Sequence, residues 1–314
     1  MTVDLSTSYL GLDLTSPLVA APCPMTGTID RLKRLEDAGA AAAVLPSLFQ
    51  EQIVHSSAEV DRRLQLVAAA KEQLDIPVLA SLNGTTRGPW VHLAHLFQEA
   101  GAAAVELNIY FMATRIETTS TMVELQHLDL VDSVRGELSI PLSVKLSPYF
   151  NAFAHMAHLV VRAGADGLVL FNRFYQPDID LDSATVVATP KPSVSQELTT
   201  ALRWIAVIHK QVEASLAATG GVHSAVDALK VIAAGGDAAM MASALLMNGP
   251  EHITSVLDGM KSWLDRHEYE SIAKLRGAMS HRRTPDSGGF ERATYIDALT
   301  NSLDQVAPSF TPRG

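Results

Sequence analysis

The sequence predicts an α/β chain of the (β/α)8, or TIM-barrel, class, with a long connection after the sixth strand and a C-terminal tail. Three observations predict it. A phrase that closes a helix and opens a strand recurs four times: EDAGAAAAVLPS at 36–47, QEAGAAAVELNI at 98–109, VRAGADGLVLFN at 161–172 and AAGGDAAMMASA at 233–244. Two more strands are announced by a proline edge, DIPVLASLNG at 75–84 and SIPLSVKLSP at 139–148. Strand-like runs and stretches of helical period then alternate eight times along the 314 residues.

Taken in order, PLVAAP at 17–22 is the first strand and 28–38 the first helix. Gly39 suits the left-handed position that stops a helix, as do Gly101, Gly164 and Gly235. The second strand ends at Ser47 and leads to a helix over 60–74. The third strand ends at Asn83, before a helix over 90–100. The fourth ends at Asn108, before 120–136, and the fifth, which carries Lys145, precedes 151–163. The sixth strand ends at Asn172, and 174–196 form the long connection to a helix over 197–210. SLAATGGV at 215–222, a helix over 224–234, the strand ending at Ala242–Ser243 and a helix over 250–266 complete the set. Short apolar runs of this kind suit strands buried on both faces, as in a parallel sheet. An open doubly wound sheet shows the same alternation, but the GxGxxG of its commonest form is absent after the first strand. The chain reads as one domain over 1–314, with 268–314 as an extension.

Composition sets limits. With 47% hydrophobic and 18% charged residues there is material for a large core. A formal net charge of −10 counts against general affinity for nucleic acid or an anionic membrane. The single cysteine, Cys23, excludes an intrachain disulfide and a multi-cysteine cluster. The N-terminal residues show no basic-then-apolar signal and no run is long enough to span a bilayer, so the cytoplasm is the expected location.

In such barrels the ligand site is built at the C-terminal ends of the strands. Those ends hold Ala20, Ala21, Ser47, Asn83, Asn108, Lys145, Asn172, Gly220, Gly221, Ala242 and Ser243. Asparagines, a lysine and small pairs suit a planar polar ligand with a phosphate, which barrels hold after strands seven and eight. Each has a plainer role as well: glycine forms turns and asparagine satisfies nearby backbone. Lys145 is harder to dismiss, because a lysine inside PLSVKLSP must aim its ammonium at a partner or at the barrel mouth. His55, His127 and His223 lack metal-ligand spacing and read as surface residues, so no metal is expected.

From about residue 5 to residue 295 the chain resembles the dihydroorotate dehydrogenase family, in its dihydroorotate dehydrogenase-like branch. The matching stretches are YLGLDLTSPLVAAP, AGAAAAVLPSLFQEQI, ASLNGTT, AVELNIY, PLSVKLSPYF, ADGLVLFNRFYQPDID, LAATGGVHSAVDALK and MMASALL. The resemblance implies FMN across the barrel mouth and an oxidoreductase acting on CH–CH groups, as in pyrimidine biosynthesis. Carried over by position, Ala20 and Ala21 lie against the ring through their backbone, and Ser47 and Asn83 contact it. Asn108 faces flavin and substrate, while Lys145 sits at the pyrimidine end of the flavin. Phe171 offers backbone contact, Gly220 and Gly221 hold the phosphate, and Ala242 and Ser243 close that site, although the family more often has Gly-Thr there. Apart from the resemblance, Asn172 and the Arg173 that follows it are candidates to meet a substrate, Arg173 through a carboxylate or phosphate or else as a solvated loop arginine.

The resemblance also marks departures. The family's general base falls on Phe111, which cannot accept a proton, and its substrate asparagine falls on Ala113. Met25 and Pro46 stand where an orotate-binding lysine is expected, and the connection at 48–59 is short. Tyr110 and Cys23 are the candidates to replace the base. A phenol, with a pKa of about 10 in water, is a poor base at pH 7, and a free cysteine is often simply core. An FMN-binding electron-transfer protein serving a redox partner is the alternative function, and a cofactor-free phosphosugar barrel is a third. A homodimer is an expectation from the family.

Overall fold

Short hydrophobic strands, each followed by a turn and a helix, close here into a barrel. The computed structural model describes residues 3–173, 177–187, 191–283 and Phe290. It opens with an antiparallel hairpin, β1 (Thr7–Tyr9) and β2 (Leu12–Leu14). Then follow β3 (Leu18–Ala20), α1 (Ile29–Asp37), β4 (Ala42–Val44), β5 (Leu48–Phe49), α2 (Gln50–His55) and α3 (Ser57–Gln73). The middle of the chain gives β6 (Val78–Asn83), α4 (Leu93–Glu99), β7 (Ala104–Asn108), α5 (Ser120–Gly136), β8 (Leu142–Leu146), α6 (Phe153–Arg162) and β9 (Gly167–Leu170). A second hairpin, β10 (Asp178–Asp180) and β11 (Thr185–Val187), precedes α7 (Leu198–Ile208) and β12 (Ser215–Thr219). The chain continues through α8 (Ala225–Ala234), β13 (Ala238–Met241), α9 (Ser243–Asn248), α10 (His252–Arg266) and α11 (Ile272–Leu275).

The parallel order β3-β4-β6-β7-β8-β9-β12-β13 returns to β3, so the sheet has no open edge. The predicted (β/α)8 barrel is therefore the fold. β4 and β5 both pair with β6, Val44 beside Leu79 and Phe49 beside Asn83. They form one interrupted stave, broken at Pro46, whose missing N–H cannot continue a ladder.

Outward strand residues such as Leu82, Leu107, Val144 and Leu168 join the helix-facing core with Leu130 and Phe153. Local signals start the helices. The Thr119 hydroxyl accepts from the Met122 amide ahead of α5, and Ser224 and Asp227 cap α8 reciprocally. All four glycines expected to stop helices have positive φ, Gly235 at +117°.

Elements too short to show a period were not legible: both hairpins, the β5–α2 pair within 48–59, α9 and α11. The first hairpin closes the N-terminal end of the barrel. Tyr9, Leu10 and Leu14 pack against the interior residues Ala104, Val169 and Ala217. Parts of the long connection (174–176, 188–190) and of the tail (284–289, 291–314) lie outside the described residues.

Candidate active site

Strand alternation turns every second residue inward, and register decides which of these become neighbours. At the C-terminal ends Asn83 pairs with Asn108 and Asn108 with Lys145, so one rung across β6, β7 and β8 carries three polar side chains. One rung below, Ser81, Glu106 and Ser143 are aligned in the same way. Glu106 is fully buried, and the Lys145 ammonium reaches down to it, Nζ to Oε1 2.5 Å. The partner that the lysine required is thus an internal carboxylate.

The Asn108 Oδ1 is buried without a hydrogen-bond partner among the described residues. Such an acceptor carries a cost that a ligand N–H at the mouth would relieve. Ser47 Oγ lies 2.8 Å from Ser81 Oγ, which fixes the second stave against the third. Ala21 joins the interior cluster, whereas the Ala20 methyl packs outward toward the helices, leaving only backbone for a ligand. Phe171 likewise turns its ring outward, 5.0 Å from that of Phe153.

Across the mouth, Gly220 and Gly221 both have positive φ. A Cβ on Gly221 would lie 2.6 Å from the Leu198 backbone nitrogen, so glycine is required there, while one on Gly220 would meet nothing within 4 Å. Ser193, which carries no signal in the sequence, ties this corner together. Its hydroxyl accepts from the Gly221 amide (3.2 Å) and meets His223 Nε2 (3.0 Å), and its own amide donates to Ser243 Oγ (2.9 Å). Ala242 and Ser243 stand half-buried beside it.

The candidate substrate groups are already engaged. The Asn172 amide nitrogen donates to the carbonyls of Ile109 and Lys145, binding three strand ends together. Arg173 pairs with Glu197 at 3.4 Å. Cys23 is buried, and burial pushes its thiol up, which disfavours a thiolate. Tyr110 is half-buried at the head of the loop that follows β7. Phe111 packs its ring toward His127, which in turn meets Phe150 edge-on, with ring centres 6.4 Å and 5.2 Å apart.

His127 corrects the expectation of a surface histidine. It is 2% exposed, and its Nδ1 donates to the Val123 carbonyl at 2.7 Å. Burial lowers its proton affinity. The helical face of α5 carries it inward with Leu130 and Val134, a period of three to four residues that the sequence contained.

At the opposite end, a cleft of about 1060 Å³ lies between the hairpin and the strand starts. Along its wall Arg135 pairs with Asp166 and Arg276 with Asp237. Burial pushes the Asp237 carboxyl up to about 6, against the opposing effects of Arg276 and the Leu216 amide. Among the described residues no group of metal-ligating side chains is assembled, and no helix is long and apolar enough to cross a membrane.

Comparison with known proteins adds to this geometry. The family model described as dihydroorotate dehydrogenase matches residues 55–264, two thirds of the chain. The catalytic subunit of dihydroorotate dehydrogenase B (NAD(+)) from Thermoplasma acidophilum is 25% identical, over 87% of this chain and 98% of its own. The subunit of that name from Cutibacterium acnes is 30% identical over 67% of this chain and 69% of its own. That from Shouchella clausii is 28% identical over 66% and 69%.

Proposed function

The chain belongs to the dihydroorotate dehydrogenase family, and on that premise we propose that it is an FMN-dependent oxidoreductase acting on a CH–CH group of a small molecule other than dihydroorotate. The observation that carries the cofactor is the rung of Asn83, Asn108 and Lys145, with the Asn108 Oδ1 buried and unpartnered. FMN, when bound, supplies two-electron chemistry on carbon. The residues suit it. Asn83, Asn108 and Ser47 would meet the ring edge, with the Ala20, Ala21 and Phe171 backbone alongside. Lys145 would stand at the pyrimidine end, where a cation favours negative charge. Gly220, Gly221, Ala242 and Ser243 would take the phosphate, with the open space at the Gly220 Cβ position as room for it.

Asn108 also remains the best substrate contact, because the Asn172 nitrogen and Arg173 have partners within the chain. Dihydroorotate is set aside on where its proton must go, since the family's base position is Phe111 and a substrate here would exchange its proton with another group. Phe111 offers no base, and a buried Cys23 whose thiol is pushed up is a weak substitute. Tyr110 stays the candidate for moving a proton. Anaerobic mixing of the FMN-loaded protein with dihydroorotate tests this. The flavin bands are expected to persist while dithionite bleaches them. Bleaching by dihydroorotate would contradict the substrate assignment.

A further inference from the structure

Resting on the FMN reading above, we propose that Glu106 is a positioning residue that holds the Lys145 ammonium away from the mouth and so sets the charge met by a flavin there. Lys145 belongs to the upper rung by its Cα, yet its ammonium turns to the rung below and meets Glu106 at 2.5 Å. Neither group has an alternative. Among the described residues Glu106 Oε2 has no hydrogen-bond partner, and the Lys145 ammonium meets Glu106 alone.

The surroundings leave the pair to decide the local charge. Ser81 and Ser143 are neutral neighbours on the lower rung. Below them lies the Tyr9 hydroxyl, which burial and then the Glu106 charge keep protonated. Ser143 faces that hydroxyl, and the two stop short of hydrogen-bond geometry. The other inward strand residues, Val19, Ala42, Val169, Ala217 and Met240 among them, carry no charge. Asp237 acts on Tyr9 from the closed end and is paired with Arg276. A carboxylate buried beside a lone cation cancels most of its field at a distance and fixes where the cation sits. A purely structural pair would stabilise the fold and leave a flavin unaffected.

Glu106→Gln, Lys145→Met and the double variant separate these roles. In the FMN-loaded proteins, Glu106→Gln is expected to displace the flavin reduction equilibrium at least tenfold, about 30 mV for a two-electron couple. In the Lys145→Met background the same change should have little effect. No displacement, or an equal one in both backgrounds, would overturn the proposal. Without FMN, each single change should lower the thermal midpoint by roughly 5–10 °C, and the double variant should regain most of it. Additive losses would sink the coupling. If the wild type takes up no FMN, the proposed function falls, while the thermal cycle still reads the pair. Should Glu106→Gln fail to fold, Glu106→Asp withdraws the carboxylate by one methylene; a smaller displacement is expected, and none would overturn the proposal.

Discussion

Two halves of the barrel interior, built from the same strands and turns, hold opposite chemistry. β6, β7 and β8 turn Ser81, Asn83, Glu106, Asn108, Ser143 and Lys145 inward. β12, β13, β3 and β4 turn Ala217, Ala238, Met240, Val19, Ala42 and Val44 inward. The apolar half is a wall of small residues with room for the Tyr9 ring from the closing hairpin. The polar half works as a unit, because a buried polar group needs a partner and three adjacent strands in register supply one across each rung. The polar chemistry of the interior is thus a property of neighbouring strands, and the rest of the ring supplies shape.

The largest expected effect breaks this contrast. Ala217→Asp places a carboxylate in the apolar half without a cation, and stability should fall by more than about 3 kcal/mol. Urea unfolding checks it, and a loss below about 1 kcal/mol would show that the apolar half tolerates charge. A smaller effect sharpens the contrast at the foot of the apolar half. Asp237 is buried with a carboxyl raised from 3.8 to about 6, so the folded state holds its proton more tightly than the unfolded state. Its contribution to stability is full below pH 3.8 and is lost as pH rises through 6. Relative to Asp237→Asn, the wild type should therefore gain on the order of 2–3 kcal/mol between pH 7 and pH 4. Unfolding curves of the two proteins at both pH values measure this, and a constant difference would remove Asp237 as the titrating group.

The eight staves and their helices were legible in the sequence, because buried parallel strands and amphipathic helices each have a period and the glycine stops punctuate them. The strand-end residues were legible for the same reason. What escaped depends on register and on short segments. VELN and SVKL each show a two-residue alternation, but only the β7–β8 register brings Glu106 to Lys145. Ser193 lies in a connection with no period, and its bonds to Gly221 and Ser243 depend on tertiary folding. The residue type of His127 suggests the surface, whereas its helical phase points inward. Phe111 was readable as a departure only through the family resemblance; its packing against His127 required the fold.

Titration of the FMN-stripped protein with FMN, followed by absorbance and by dialysis, tests the central claim most directly. One FMN per chain is expected, bound with a Kd of about 1 μM or tighter, with weaker binding when Asn108 is replaced by alanine. A folded wild-type protein that takes up no FMN would contradict it.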